Sequence, residues 1–176
     1  MTEDLYFIAV LPPLGIQKEL TLLKEEIAEK FKSRHALKSP PHITLHMPFK
    51  WKDKKLDQLQ KTIESLNEAL IPFTVALKDF DFFEPRVVFV AVEQNEKLQA
   101  LQKVVTKSCR QELKLYNANY KGRIFHPHIT IGFRDLKKPM FYAAKKEFER
   151  QQYAGKFIVD RLWLLKNKED RWEQID

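Results

Sequence analysis

The chain has 176 residues, of which 44% are apolar and 31% charged, a balance typical of a globular domain and unlike that of disordered or fibrous chains. No run approaches the roughly 20 apolar residues that a membrane helix needs. The opening segment, MTEDLYFIAV, also lacks the basic region of a secretory signal. The single cysteine, Cys109, cannot form an internal disulfide, so we expect a cytoplasmic protein.

The first half of the chain predicts strands alternating with amphipathic helices. Residues 5–13, LYFIAVLPP, form an apolar run that two prolines end, which indicates a buried strand. Apolar residues three and four apart predict helices over 14–31 and 53–70. Between those helices, the segment PPHITLHMPF at 40–49 predicts a strand with proline near both ends.

The second half repeats this order after a hairpin predicted over 73–83 and 86–92. A helix over 96–115, a loop YNANYKGR, a strand over 124–133 and a helix over 138–152 follow. A last hairpin is predicted to pair KFIVDRLWLL with RWEQI around KNKED. Because both halves read helix, strand, helix, hairpin, we expect one α+β domain over 1–176, made of two pseudo-symmetric lobes.

Each half contains the pattern Pro-His-Ile-Thr followed by an aliphatic residue, at 41–45 and at 127–131. Side chains alternate along a strand, so His42 and Thr44 are predicted to face one side, and His128 and Thr130 likewise. If a two-fold axis relates the lobes, these polar pairs face each other across one cleft. A single His-x-Thr is more often structural, but two copies in matching places predict a paired site.

Such a site carries the groups that a displacement at a phosphodiester needs. A neutral imidazole accepts a proton from the attacking hydroxyl or water, and a protonated one donates to the leaving oxygen. Threonine hydroxyls can donate to an anionic phosphate oxygen as charge grows on it. A strained 2′,3′-cyclic phosphate is the substrate that best suits this set of groups.

Metal binding is the main alternative for these histidines. His42 and His46 lie four residues apart, which is a metal-ligand spacing on a helix but not on this strand. His126 and His128 flank Pro127, and His126 is interpreted as the end of a loop. No established metal motif is present, so we expect no metal. Alternation places His46 on the Thr44 face, either at the edge of the pocket or in solvent.

The paired motifs resemble the 2H phosphoesterase superfamily, in particular its 2′-5′ RNA ligases and cyclic phosphodiesterases. The opening strand LYFIAVLPP is similar to the first strand of that family. The resemblance implies two antiparallel sheets that form a central cleft, with helices on the outer faces. It also implies that His42, Thr44, His128 and Thr130 are catalytic, and that neither metal nor cofactor is required. In hydrolysis, His128 would be the base and His42 the acid, although these roles could be exchanged.

The resemblance does not assign the cation that neutralises the phosphate, because Phe133 stands where many relatives carry a basic residue. Arg134, Arg86 and Arg123 are candidates, although ordinary surface positions would explain each of them. Three aromatic residues are candidates for stacking on a base, and a core position explains the first two better: Tyr6, Phe49 and Phe125.

Three functions are compatible with the sequence. The first is opening of 2′,3′-cyclic phosphates on RNA ends or nucleotides, with reversible 2′-5′ RNA ligation as an added activity. The second is a related phosphoesterase with another substrate, such as an RNA 3′-end exonuclease, and the third is an RNA-binding module without turnover. The net charge of +7 suits RNA or nucleotide partners, but surface lysines would give the same charge. We expect a monomer that does not bind membranes.

Overall fold

The computed structural model describes residues 3–175; Met1, Thr2 and Asp176 lie outside the described residues. The strands are β1 Glu3–Val10, β2 Ile43–Lys52, β3 Phe73–Phe83, β4 Val87–Val92, β5 His128–Gly132, β6 Ala154–Val159, β7 Trp163–Lys168 and β8 Arg171–Ile175. The helices are α1 Leu14–Phe31, α2 Leu56–Glu68, α3 Glu96–Leu113 and α4 Lys138–Phe148. Short 3₁₀ turns lie at His35–Lys38, Asp53–Lys55 and Tyr120–Gly122.

The strands form two antiparallel sheets of four strands each, in the orders β2-β1-β7-β8 and β5-β4-β3-β6. In both sheets the motif strand lies at an edge, beside the strand that precedes it in the element order. The predicted α+β fold with two antiparallel sheets is thereby confirmed. The pseudo-symmetry of the two lobes stays a proposal, which these matching edge positions support.

The helices cross between the sheets. Helix α1 follows β1 of the first sheet but packs against β5 of the second, whereas α3 follows β4 of the second sheet and packs against β2 of the first. Gly132 at the end of β5 permits the close approach of α1, because a Cβ atom there would lie 2.9 Å from Cγ2 of Ile27. None of the helices described between residues 3 and 175 is long and apolar enough to span a membrane.

The prediction of one strand over 156–165 was wrong. The segment forms two strands in different sheets, β6 beside β3 and β7 beside β1. The break is stabilised at Leu162, whose N–H donates to Oδ1 of Asn67 at 2.7 Å and whose carbonyl accepts from Nδ2 of Asn67 at 3.2 Å. A side-chain amide from the end of α2 therefore replaces the strand partners at this point, and the chain crosses from one sheet to the other.

The last hairpin is tighter than predicted. Strands β7 and β8 are joined by Glu169 and Asp170 alone, both with positive φ, of 48° and 65°. This is the backbone of a two-residue hairpin turn that matches the twist of the strands. Most of the segment KNKED therefore belongs to β7, where Lys166 opposes Glu173.

Candidate active site

The two motifs meet where the edge strands of the sheets come together. Strands β2 and β5 contact each other, and thereby place the two halves of the chain side by side. His42 directly precedes β2, and His128 is the first residue of β5. The predicted alternation is confirmed, since the aliphatic partners Ile43 and Ile129 are fully buried. By contrast, all four His and Thr side chains of the motifs are half-buried.

Both imidazoles are held by the carbonyl two residues earlier in the chain. Nδ1 of His42 lies 2.6 Å from the carbonyl oxygen of Pro40, and Nδ1 of His128 lies 2.7 Å from that of His126. Because a carbonyl can only accept a hydrogen bond, Nδ1 carries the proton in each neutral ring. Nε2 is then left with a free lone pair, so both rings present the same proton-accepting atom.

Each imidazole also packs against an aromatic ring from the neighbouring strand. The ring centroid of Phe7, in β1, lies 4.7 Å from that of His42, and Trp172 backs Phe7 at 4.6 Å. In the other sheet, Phe89 of β4 and Phe83 of β3 each lie 5.0 Å from His128. These rings restrict how far the imidazoles can tilt, which helps to hold Nε2 in a fixed direction.

The surroundings of both imidazoles disfavour the protonated form. Burial lowers the pKa of His42 to about 3, with smaller contributions from the charges of Lys24 and His128. Burial likewise lowers the pKa of His128, and the charge of His126 adds to this effect. The influence of His128 on His42 indicates that the two rings share one electrostatic environment. In the free protein the neutral form of both rings is therefore favoured.

A cavity of ≈ 780 Å³ joins the two motifs to a basic and aromatic wall. Thr44 and His128 line it directly, and it extends to the loop over 118–126 and the β3–β4 turn over 83–87. Three of the predicted substrate-binding residues line this cavity: Arg86, Arg123 and Phe125. A second groove, of ≈ 690 Å³, lies around Tyr153 and contains no motif residue.

The predicted strand face of His46 was wrong. The register between β1 and β2 shifts so that Ala9 opposes Thr44, whereas Ile8, the next residue on β1, opposes His46. A bulge of this kind reverses the alternation of the bulged strand. His46 therefore lies in the core, fully buried, with its ring 5.2 Å from that of Phe49.

Three further candidates lie away from the cavity walls. Tyr6 and Phe49 are buried in the core with their ring centroids 6.3 Å apart, as the core interpretation of these residues predicted. Arg134 is exposed and lies over the ring of Phe133, 5.6 Å from its centroid. Its backbone has a φ of 59°, so the strand alternation that placed Arg134 beside Thr130 does not extend to this residue.

The cavity residues that the sequence analysis did not name as candidates include Tyr120 and Lys121. The side chains of Lys121 and Arg123 lie 5.2 and 5.4 Å from the ring centroid of Tyr120, which is 52% exposed. The signal was present in the segment YNANYKGR, which places aromatic and basic residues just before the second motif. Among residues 3–175, no group of three or more His, Cys, Asp or Glu side chains is arranged to hold a metal ion.

Comparison with known proteins assigns the family. The family model described as the 2′-5′ RNA ligase superfamily matches residues 12–171. The chain belongs to this superfamily. The match confirms the resemblance to the 2H phosphoesterases that the two motifs indicated. A protein of Geobacillus kaustophilus named "Putative phosphoesterase" is 27% identical over 165 residues, which cover 91% of this chain and 86% of the relative.

Solved structures show the same fold at lower identity. TT0787 of Thermus thermophilus superposes with a TM-score of 0.69 and 19% identity, covering 98% of this chain and 95% of that chain. Escherichia coli LigT complexed with 3′-AMP gives a TM-score of 0.66 and 18% identity, covering 99% and 97%. These likenesses extend over almost the full length of this superfamily member.

Proposed function

We propose that the chain is a metal-independent phosphodiesterase that opens 2′,3′-cyclic phosphates on RNA ends or nucleotides. The observation that carries this proposal is the cavity lined by both Thr44 of one motif and His128 of the other. Two imidazoles with free Nε2 atoms and two hydroxyls supply acid, base and hydrogen-bond donors. Since protein side chains provide each of these groups, the proposed chemistry requires no metal ion.

In the proposed reaction, the oxygen of water attacks phosphorus while Nε2 of His128 takes the proton of that water. The bond from phosphorus to one ribose oxygen breaks, and Nε2 of protonated His42 donates its proton to that oxygen. The hydroxyls of Thr44 and Thr130 donate to the non-bridging oxygens. The anionic substrate favours protonation of a nearby imidazole, which offsets part of the effect of burial. A 2′-5′ linkage would form in the same way if the 5′-hydroxyl of a second RNA end, in place of water, attacked phosphorus and the ribose 3′ oxygen left. The histidine roles exchange when that linkage is cleaved back to the cyclic phosphate and the 5′-hydroxyl.

The extended cavity supports RNA ends as substrates more than free nucleotides. A nucleotide held at the histidines leaves room toward Tyr120, where a second base can stack and Lys121 and Arg123 can contact its phosphate. Exposed aromatic rings beside cations are typical of sites for single-stranded nucleic acid. The structure of E. coli LigT complexed with 3′-AMP is consistent with a nucleotide-type ligand for this fold.

The proposal is tested by incubating the protein with the four 2′,3′-cyclic nucleotides, and with a short RNA ending in a 2′,3′-cyclic phosphate, in excess EDTA. Chromatography that separates 2′- from 3′-phosphates identifies the product. We expect ring opening by the wild type and none by the double variant H42A/H128A prepared in parallel. Lack of turnover by the wild type on all five substrates would refute the proposal, as would equal turnover by the double variant.

A further inference from the structure

We propose that Lys24 is a positioning residue for His42. Its ammonium group holds the segment that leads into the first motif and places a positive charge behind the His42 ring. This inference rests on the proposed function, since it concerns how one of the two proposed catalytic imidazoles is oriented and charged.

Lys24 is buried in an unusual setting for a lysine. It lies on α1, is 2% exposed, and donates from Nζ to the carbonyl oxygens of Ala36 at 2.9 Å and Ser39 at 2.8 Å. Burial lowers its pKa to about 7, and no carboxylate among residues 3–175 contributes to this shift. Burying an ammonium group without a counter-ion is costly, and an apolar side chain of similar length would avoid that cost. A role in packing alone does not explain a lysine at this position.

Lys24 is connected to the His42 imidazole through two consecutive residues of the chain. Ser39, which accepts from Nζ, precedes Pro40, whose carbonyl oxygen lies 2.6 Å from Nδ1 of His42. By holding the 3₁₀ turn at Ala36 and the chain at Ser39, Lys24 fixes the carbonyl that sets the tautomer of His42. A fixed direction of the Pro40 carbonyl keeps the proton on Nδ1 and the lone pair on Nε2.

The charge of Lys24 acts on the same ring. The charged groups that influence His42 are Lys24 from α1 and His128 from β5, while Phe7 from β1 contributes an uncharged ring. A positive charge nearby opposes protonation, so Lys24 adds to the effect of burial in lowering the pKa of His42. The pKa of Lys24, about 7, lies well above that of His42, about 3, so Lys24 is charged over the pH range in which His42 takes up a proton.

The two motifs differ in the charged residues that act on their imidazoles. Within the part of the chain that the structure describes, no lysine acts on His128, and its charged neighbour is His126, which is exposed. Removing the charge of Lys24 should therefore change the titration of His42 and leave that of His128 as it is. A residue that only fills space would not separate the two imidazoles in this way.

The test compares K24M with K18M. Both variants remove a lysine charge from α1, but Lys18 is exposed. NMR titration should show the pKa of His42 raised by about one unit in K24M, with that of His128 unchanged and K18M like the wild type. One limb of the pH profile of kcat/KM should move to higher pH by a similar amount. The alkaline limb moves if His42 is the acid, and the acidic limb if it is the base. The inference is overturned if His42 titrates in K24M as it does in the wild type.

A measurement on the wild type covers the case in which K24M does not fold. His42 stays neutral near pH 7, but its ring lies in the field of the Lys24 ammonium group, so its NMR signal should shift as Lys24 loses its proton there. A His42 signal that does not respond to that titration would also overturn the inference. Neither titration needs a substrate. Absence of turnover by the wild type would therefore refute the proposed function, whereas an unchanged His42 titration would refute the role of Lys24.

Discussion

The rings of His42 and His128 are oriented by the same kinds of contact, but the residues beyond those contacts differ. Both rings have Nδ1 against the carbonyl two residues earlier, at 2.6 and 2.7 Å, and both pack on a phenylalanine of the adjacent strand. Behind His42, however, lies the buried Lys24, whereas the cavity opens beside His128 toward Tyr120. The two halves thus share the groups proposed for the chemistry but not the groups proposed to bind the substrate.

The difference arises from what each half places next to its motif. In the first half, α1 and the turn at His35–Lys38 lead into His42, and Lys24 ties them together. In the second half, the corresponding segment is the loop after α3, which carries Tyr120, Lys121 and Arg123 at the cavity wall. In the first half a buried lysine therefore holds the connection to the motif, whereas the second half lines the open part of the cavity, as the proposed binding of an RNA end along that half requires.

The largest expected effect tests whether His42 and His128, which are oriented alike, both take part in the reaction. If the two imidazoles act as acid and base in one reaction, H42A and H128A should each lower kcat for cyclic phosphate opening by about 10²- to 10⁴-fold. The double variant should be little worse than either single one, because residues that act as a unit are not additive. Steady-state kinetics on a 2′,3′-cyclic nucleotide measures this, with H35Q as a histidine control outside the cavity lining. A loss confined to one of the two variants would contradict paired catalysis.

A smaller effect tests whether the cavity wall at Tyr120, which only the second half provides, binds RNA. In Y120A, the affinity for an RNA that ends in a cyclic phosphate should fall, because stacking on an aromatic ring contributes about 1–3 kcal/mol per base. KM for the RNA should rise by about tenfold, while kinetics on a cyclic mononucleotide should stay unchanged. Y142A is a suitable control, since Tyr142 is also an exposed tyrosine and lies on α4, away from the cavity lining. Equal losses on both substrates would place Tyr120 at the reaction centre instead.

Most of the fold could be predicted because its strands and helices have clear periodicity and proline boundaries. The break between β6 and β7 could not, since it depends on hydrogen bonds to the side chain of Asn67, which lies 95 positions away from Leu162 in sequence. Local pattern contains no information about such a distant partner. The same limit applies to His46, whose strand face depends on the register against β1.

The His/Thr pairs were visible because the motif occurs twice, and repetition makes a short pattern specific. Lys24 was not visible for the opposite reason. It occurs once, in a helix where a lysine is ordinary, and only the packing of α1 against the loop before β2 reveals that it is buried. Arg86 and Arg123 could be named as candidates, but the cavity that they share with Tyr120 is formed by segments far apart in sequence.

The smallest effect concerns the contribution of His46 to stability. His46 lies four residues after His42, whereas the matching position after His128 is Gly132, which cannot titrate. Burial lowers the pKa of His46, so below pH 6.5 the unfolded chain binds this proton more readily than the folded chain does. Folding stability must then fall as the pH decreases below 6.5.

His42 and His128 contribute in the same direction but remain present in an H46L variant. The variant should therefore lose stability less steeply with acid than the wild type, by at most about 1.4 kcal/mol per pH unit. Urea unfolding at pH 7.5, 6 and 5 measures the two slopes, and parallel slopes would show that His46 takes up its proton equally well in the folded protein.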